Sequence, residues 1–220
     1  MGQTRATLIV YIIQMNPIYK LIEIIVLIVL PLLVFYLRSG WSQKEINVNV
    51  IILPILWYLT YALLHELSHI FGCIVVGAAI TDYRLMPHFW EGDFGFAYVN
   101  VNGGFEVNTR SLIILSFPYL LDVLSVFIGF LLLNKLRIKN SFLFGLIFMI
   151  LCLRPLYDII DNYIGIIMLH SDLVLISKII GQLITYSFGI VAIVFIVTMN
   201  LILLNKYKKY PYPLLENKNK

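Results

Sequence analysis

Long apolar stretches almost free of charged residues recur along this chain, and they restrict its possible folds more than any other feature. Residues 48–64 and residues 179–204 contain no charged side chain at all. A transmembrane helix needs about 20 predominantly apolar residues. With 60% hydrophobic and 13% charged residues, the chain also lacks the composition of a water-soluble domain. We therefore expect a protein that crosses a lipid bilayer several times.

The apolar stretches predict a single integral membrane domain of about five transmembrane helices. The predicted helices span residues 18–37, 48–80, 111–134, 141–170 and 173–204. Between the second and third lies a polar segment, residues 81–110, in which apolar residues alternate on both sides of a glycine turn at Asn102-Gly103-Gly104, a pattern typical of a β-hairpin. The alternating residues are Phe94, Phe96, Tyr98, Val99, Val101, Phe105 and Val107. The predicted fold class is an all-α polytopic membrane protein with a small β-hairpin insertion.

The basic residues predict the orientation of these helices. They are concentrated in the loop Lys135, Arg137 and Lys139 and in the tail at residues 205–220. Short cytoplasmic loops are enriched in Lys and Arg, so we expect this loop and the C-terminus to be cytoplasmic and segment 81–110 to be on the other side. The net charge of +4 thus reflects topology and contact with lipid headgroups, and it gives no reason to expect a nucleic-acid partner.

The sequence His65-Glu66-Leu67-Ser68-His69 places metal-ligand chemistry inside the second predicted helix. Residues four apart lie on one face of a helix, so His65 and His69 can present two imidazoles to one zinc ion. Glu66 can act as the base that takes a proton from a water activated by the metal. Ionisable groups within a membrane helix cost about 2.5 to 3.5 kcal/mol each on insertion scales and are usually functional. The pattern predicts a zinc-dependent peptidase.

Depth along the helices suggests where a third ligand would lie. At 1.5 Å per residue, His65 is about 26 Å from the start of its helix, and Asp158 is about 26 Å along the fourth. Asp122 and Arg154 also match in depth, which predicts a structural ion pair between them. In the rival assignment Arg154 pairs with Asp158 at i, i+4, and Asp161 is left for the metal. We predict Asp158 as the third ligand, with Asp161 and Asp122 as alternatives.

The region from about residue 48 to residue 164 resembles the site-2 protease family of intramembrane zinc metalloproteases. It has the His-Glu-x-x-His helix, a β-rich insertion after it, and two further spans with an Asp in the second. The resemblance implies that His65, His69 and a later Asp hold zinc, that Glu66 activates water, and that the β element helps to present the substrate. The chain departs from the family pattern after Asp158, where Ile159 replaces the usual glycine.

The expected activity is hydrolysis of peptide bonds within or near transmembrane segments of membrane-protein substrates. Asn162 can either hydrogen-bond the developing oxyanion or serve as an amide packed between helices. The alternative function is a catalytically inactive membrane scaffold or regulator that retains the protease fold. A metal-ion transporter would need polar residues through the full depth of several helices, and the last predicted helix contains few.

Overall fold

Helices dominate the structure, a computed structural model that describes residues 42–86, 97–136, 138, 140–167 and 171–209. The predicted first helix at 18–37, residues Phe94 and Phe96, and residues 210–220 of the basic tail lie outside the described residues. The described elements, in chain order, are α1 (Gln43–Val76), β1 (Ile80–Arg84), β2 (Tyr98–Val101), α2 (Thr109–Lys135), α3 (Ser141–Phe148), α4 (Arg154–Ile167), α5 (Asp172–Ile180) and α6 (Gln182–Lys209).

Four helical segments among the described residues are long and apolar enough to cross a membrane. They are Asn47–Val76, Thr109–Lys135, Ser141–Ile166 and Gln182–Lys206. Large apolar side chains cover their outer surfaces, as at Ile74 and Leu183, which are 66% and 80% exposed. A soluble protein rarely exposes contiguous apolar surface of this kind. The helical fold and its apolar exterior agree with the predicted class.

Helix α1 has well-defined signals at both ends. Ser42 accepts a hydrogen bond from the Glu45 backbone N–H, and the Glu45 side chain accepts one from the Ser42 N–H, so the two residues form a capping box. Gly77 ends the helix in the left-handed conformation, with φ +63°. The predicted end at residue 80 is therefore wrong, because the chain turns at Gly77 and enters strand β1.

The small antiparallel hairpin is confirmed, but the strand that pairs with β2 differs from the prediction. Strand β2 pairs with β1, with Tyr83 opposite Val99. The predicted hairpin has residues 94–101 on one side of the glycine turn and Phe105 and Val107 on the other. That turn exists, with positive φ at Gly103 and Gly104, but the chain beyond it leaves the sheet because Phe105 packs against the core beside Val99 and Ile114.

Helices α1 and α2 approach closely beside the His-Glu-x-x-His motif. A Cβ atom added at Gly72 would lie 2.8 Å from Ile114 Cα and 3.2 Å from Ile114 O. Only glycine fits at this position without moving one of the two backbones. The close approach brings the Ile114 carbonyl within hydrogen-bonding distance of His69, at 3.1 Å from Nδ1.

We predict that Gly72→Leu lowers the stability of the folded protein by about 1–3 kcal/mol or more, because overpacking at a backbone contact forces the helices apart. Denaturation of the detergent-solubilised protein would measure the change. Val75 lies on the same helix and is 65% exposed, so Val75→Leu is the matched control and should stay within about 0.5 kcal/mol of wild type. Equal stability of the two variants would contradict the close helix contact.

The fourth predicted helix corresponds to α3 and α4, which join through a π-helical turn at Met149–Leu153. Asn200 on α6 donates a hydrogen bond to Cys152 O within that turn, at 3.2 Å. Single π-turns occur inside α-helices and are often near functional sites. Here the turn lies directly before Arg154 and the polar residues of α4.

The fifth predicted helix, at 173–204, is wrong as a single element. Helix α5 begins at Asp172 and ends at Ile180, and α6 begins at Gln182. Gly181 between them has φ +91° and ψ +147°, a conformation that L-residues rarely adopt and that no helix contains. Leu173 and Ile176 of α5 are buried in the same apolar cluster as Leu115 and Tyr119 of α2. Helix α5 therefore packs as a separate short helix beside the motif.

Candidate metal centre

Three potential ligand atoms converge where α1 meets the start of α5. His65 Nε2 lies 3.2 Å from His69 Nε2 and 3.4 Å from Asp172 Oδ2. His69 Nε2 lies 2.9 Å from the same carboxylate oxygen. Within the part of the chain that the structure describes, these residues form the one His, Cys, Asp or Glu group compact enough to hold a metal ion.

The triangle of donor atoms fits a tetrahedral zinc ion. Zinc bonds of about 2.0–2.1 Å to nitrogen and oxygen at tetrahedral angles separate neighbouring ligand atoms by about 3.3 Å. The three observed separations, 2.9 to 3.4 Å, are close to that value. Two imidazole nitrogens and one carboxylate oxygen are also ligand types that zinc accepts.

The Nδ1 atom of each imidazole contacts a hydrogen-bond acceptor, and this contact orients Nε2 toward Asp172. His65 Nδ1 lies 2.8 Å from Asp158 Oδ2, and His69 Nδ1 lies 3.1 Å from Ile114 O. Both partners are acceptors, so each Nδ1 can donate a hydrogen bond to its partner while Nε2 points toward Asp172. Hydrogen bonds to a carboxylate or a backbone carbonyl orient metal-binding histidines in this manner.

Asp172 occupies the place that the sequence analysis assigned to Asp158. The matching depths of His65 and Asp158 are correct, since the two side chains are in contact. The contact, however, is with Nδ1, on the opposite side of the ring from His69. Asp161, on the next turn of α4, is half-buried and is not part of the three-residue group among the described residues.

The predicted pair of Asp122 and Arg154 is confirmed. Arg154 Nη2 lies 2.7 Å from Asp122 Oδ1, and both side chains are buried. The rival partner, Asp158, is also near the guanidinium, at 3.9 Å from Nη1. Arg154 therefore lies between two buried carboxylates, one of which also holds His65. Asp122 belongs to this ion-pair network rather than to the group of three.

Glu66 and Ser68 occupy the remaining polar positions of the motif. Glu66 is only 9% exposed, and it directly follows His65 on α1. The Ser68 hydroxyl donates to Leu64 O at 2.6 Å, so its polarity is satisfied within α1. Glu66 is thus the motif carboxylate that stands beside the group of three without belonging to it.

Asn162 of α4 forms hydrogen bonds on both sides of its amide. Nδ2 donates to Asp158 O at 3.0 Å and contacts Asp158 Oδ1 at 3.1 Å, and Oδ1 accepts from Ser171 Oγ at 3.1 Å. From the sequence, this residue is expected to be either an oxyanion ligand or an amide packed between helices. These contacts join α4 to the beginning of α5, as expected for an amide that connects two helices.

Asp172 is the functional candidate that the sequence analysis missed. The predicted helix begins at residue 173, so Asp172 lies just outside it. The available signal was Ser171-Asp172 before an apolar run, because Ser is a preferred N-cap and acidic residues favour the first turn. The structure has this cap, in which Ser171 Oγ accepts from the Leu173 N–H.

Electrostatics favour the ionised form of Asp172, which is the form that binds metal. Burial alone would raise the pKa of this carboxyl group. The adjacent imidazoles of His69 and His65 have the larger combined effect and hold the pKa of Asp172 well below its usual range. The carboxylate is therefore charged at neutral pH.

Comparisons with known protein families, with curated proteins and with solved structures found no match to this chain.

Proposed function

We propose that this protein is an intramembrane zinc metalloprotease that hydrolyses peptide bonds within or near transmembrane segments of membrane proteins. The observation that carries the proposal is the convergence of His65 Nε2, His69 Nε2 and Asp172 Oδ2 within 3.4 Å of one another. Glu66 lies beside them, on a helix long and apolar enough to cross a bilayer. Two imidazoles, a carboxylate and a neighbouring base are the components of a metallopeptidase site.

In the proposed mechanism the ligands are His65, His69 and Asp172. Bound zinc would supply a Lewis acid that lowers the pKa of a water molecule and polarises the peptide carbonyl. Glu66 accepts the proton from the attacking water on its carboxylate and delivers it to the leaving amine. Asp158 and the Ile114 carbonyl keep the proton of each imidazole on Nδ1, so that both Nε2 atoms stay available.

The membrane environment determines the class of substrate. A segment that reaches a site between helices comes from the bilayer or its surface, and it must unwind locally because intact helical hydrogen bonds shield the scissile carbonyl. Within the described residues, β1 and β2 each pair on one side only. A free strand edge can bind an unwound substrate segment by strand addition. The partners in this proposal are therefore a membrane-protein or peptide substrate and the lipid bilayer.

We also propose that the C-terminus is cytoplasmic. Lys206 Nζ donates to Asn134 O at 2.7 Å, so the C-terminal ends of α2 and α6 lie at the same end of the bundle. The basic loop and the basic tail follow these two ends. A cluster of Lys and Arg at one end of a helical bundle favours the cytoplasmic side. The candidate zinc site is nearer the opposite end, beside the hairpin.

The test is hydrolysis of a transmembrane peptide by the purified protein, measured together with its zinc content. We expect about one zinc per chain, loss of both zinc and activity after chelation, and recovery of both when zinc is restored. Stoichiometric zinc without hydrolysis of any of a panel of transmembrane peptides would favour the inactive scaffold. Absence of zinc after purification from zinc-replete medium would contradict the proposed metal site itself.

A further inference from the structure

The amide of Asn162 links Asp158, which contacts His65, to Ser171, which directly precedes Asp172. Its Nδ2 binds the Asp158 carbonyl and contacts the Asp158 carboxylate, and its Oδ1 accepts from Ser171 Oγ. The reversed amide would place its oxygen against two acceptors, so these contacts determine its orientation. One end of the amide is therefore attached to the residue that orients His65.

The other end of the amide is attached to the turn that carries Asp172. Ser171 precedes Asp172 directly and caps α5, where its Oγ accepts from the Leu173 N–H at 3.1 Å. The same hydroxyl donates to Asn162. Because the hydroxyl donates to α4 and accepts from α5, the start of α5 is held at a defined position relative to Asp158.

Helix α5 needs such a connection if Asp172 is to meet the histidines of α1. The helix is short and ends at Gly181. Its buried residues Leu173 and Ile176 hold it against the core, but apolar contacts are non-directional. A metal ligand must be positioned to within about 0.5 Å. Hydrogen bonds through Asn162 and Ser171 supply the direction that the apolar contacts lack.

We propose that Asn162 is a positioning residue that acts through Ser171 to hold Asp172 in metal-binding geometry, while it supports Asp158 on His65. The proposal rests on the proposed zinc site and assigns Asn162 no contact with the metal or the substrate. Its consequence is a dependence of zinc affinity on a hydrogen bond between α4 and α5.

The experiment measures the zinc affinity of the detergent-solubilised full-length protein by competition with a chelator. Asn162→Leu removes the amide at similar volume. Ser171→Gly removes the donor hydroxyl, and glycine at an N-cap costs only a few tenths of a kcal/mol. We expect each variant to bind zinc about 10–100-fold more weakly, as for other residues that orient metal ligands. Visible spectra of the cobalt-substituted proteins should change in the same variants.

The controls separate positioning from general stability. Ser171→Thr keeps both the hydroxyl and the cap and should retain most of the zinc affinity. Ser177 lies on α5 away from the site, where its hydroxyl donates to Val174 O, and Ser177→Ala should bind zinc as wild type does. The metal-free variants should melt near the metal-free wild type. If Asn162→Leu fails to fold, Ser171→Gly decides the question by the same measurement.

The double variant provides the sharpest comparison. Asn162→Leu combined with Ser171→Gly should weaken zinc binding little more than Asn162→Leu alone, because Asn162→Leu already removes the hydrogen bond between Ser171 and Asn162. Wild-type affinity in a folded Asn162→Leu protein, or in Ser171→Gly, would overturn the positioning role and leave the proposed function intact. A wild-type protein that binds no zinc would overturn both.

Discussion

Replacing Asp172 by asparagine is expected to lower zinc affinity by at least about 100-fold. Among the described residues, Asp172 Oδ2 is the one carboxylate oxygen that faces both Nε2 atoms, at 2.9 Å from His69 and 3.4 Å from His65. Loss of a residue that only orients a ligand typically costs 10–100-fold in affinity, and loss of a charged ligand should cost more. Zinc content after dialysis against a metal buffer, together with chelator competition, measures the effect.

Variants of the two neighbouring carboxylates of α4 identify which residue is the ligand. Asp158→Asn should bind zinc about 10–100-fold more weakly, because Asp158 orients His65 without facing His69. Asp161→Asn should retain zinc, because Asp161 is outside the group of three. If zinc were lost completely in Asp158→Asn and retained in Asp172→Asn, the third ligand would be Asp158 after all.

Glu66→Gln is expected to reduce peptide hydrolysis by about 10²–10⁴-fold, the usual contribution of a general acid–base group. Glutamine has nearly the same shape but cannot accept the proton of the attacking water. Because Glu66 is not one of the three converging residues, zinc content and thermal stability should remain close to wild type. Initial rates on a transmembrane peptide, measured at equal zinc occupancy, give the result.

The matched control for this variant is Glu106→Gln, an equivalent change at an exposed position before α2. It should leave the rate unchanged. Wild-type rates in Glu66→Gln would remove Glu66 from the mechanism. Loss of zinc in that variant would instead indicate that Glu66 is itself a ligand.

The helices could be predicted because their signals are local. Uncharged apolar runs of about 20 residues predict membrane-type helices, and α1, α2 and the joined α3 and α4 lie close to their predicted positions. The hairpin partner could not be identified in this way. Strand alternation indicates which residues can pair. Whether residues 80–84 or residues 105–107 pair with β2 depends on where the Phe105 side chain packs in the folded protein.

The residues of the candidate site also include some that local sequence signals identify and one that they do not. His65, Glu66 and His69 lie within one helical turn, so helical periodicity alone brings them together. The third donor comes from another helix, and depth along an ideal helix cannot distinguish a carboxylate on one side of an imidazole from one on the other. Asp158 and Asp172 both contact His65, and only the direction of the ring separates their roles.

By itself, the sequence determined the membrane-type helices, the paired histidines with their adjacent glutamate, and the depth at which His65 and Asp158 meet. The tertiary structure alone decided that β1 pairs with β2, that Gly181 separates α5 from α6, and that Asp172 rather than Asp158 faces both Nε2 atoms. The physical reason is the distance along the chain over which each effect acts. Periodicity and capping act over a few residues, whereas the position of Asp172 depends on how α5 packs against α2 and on its connection to α4.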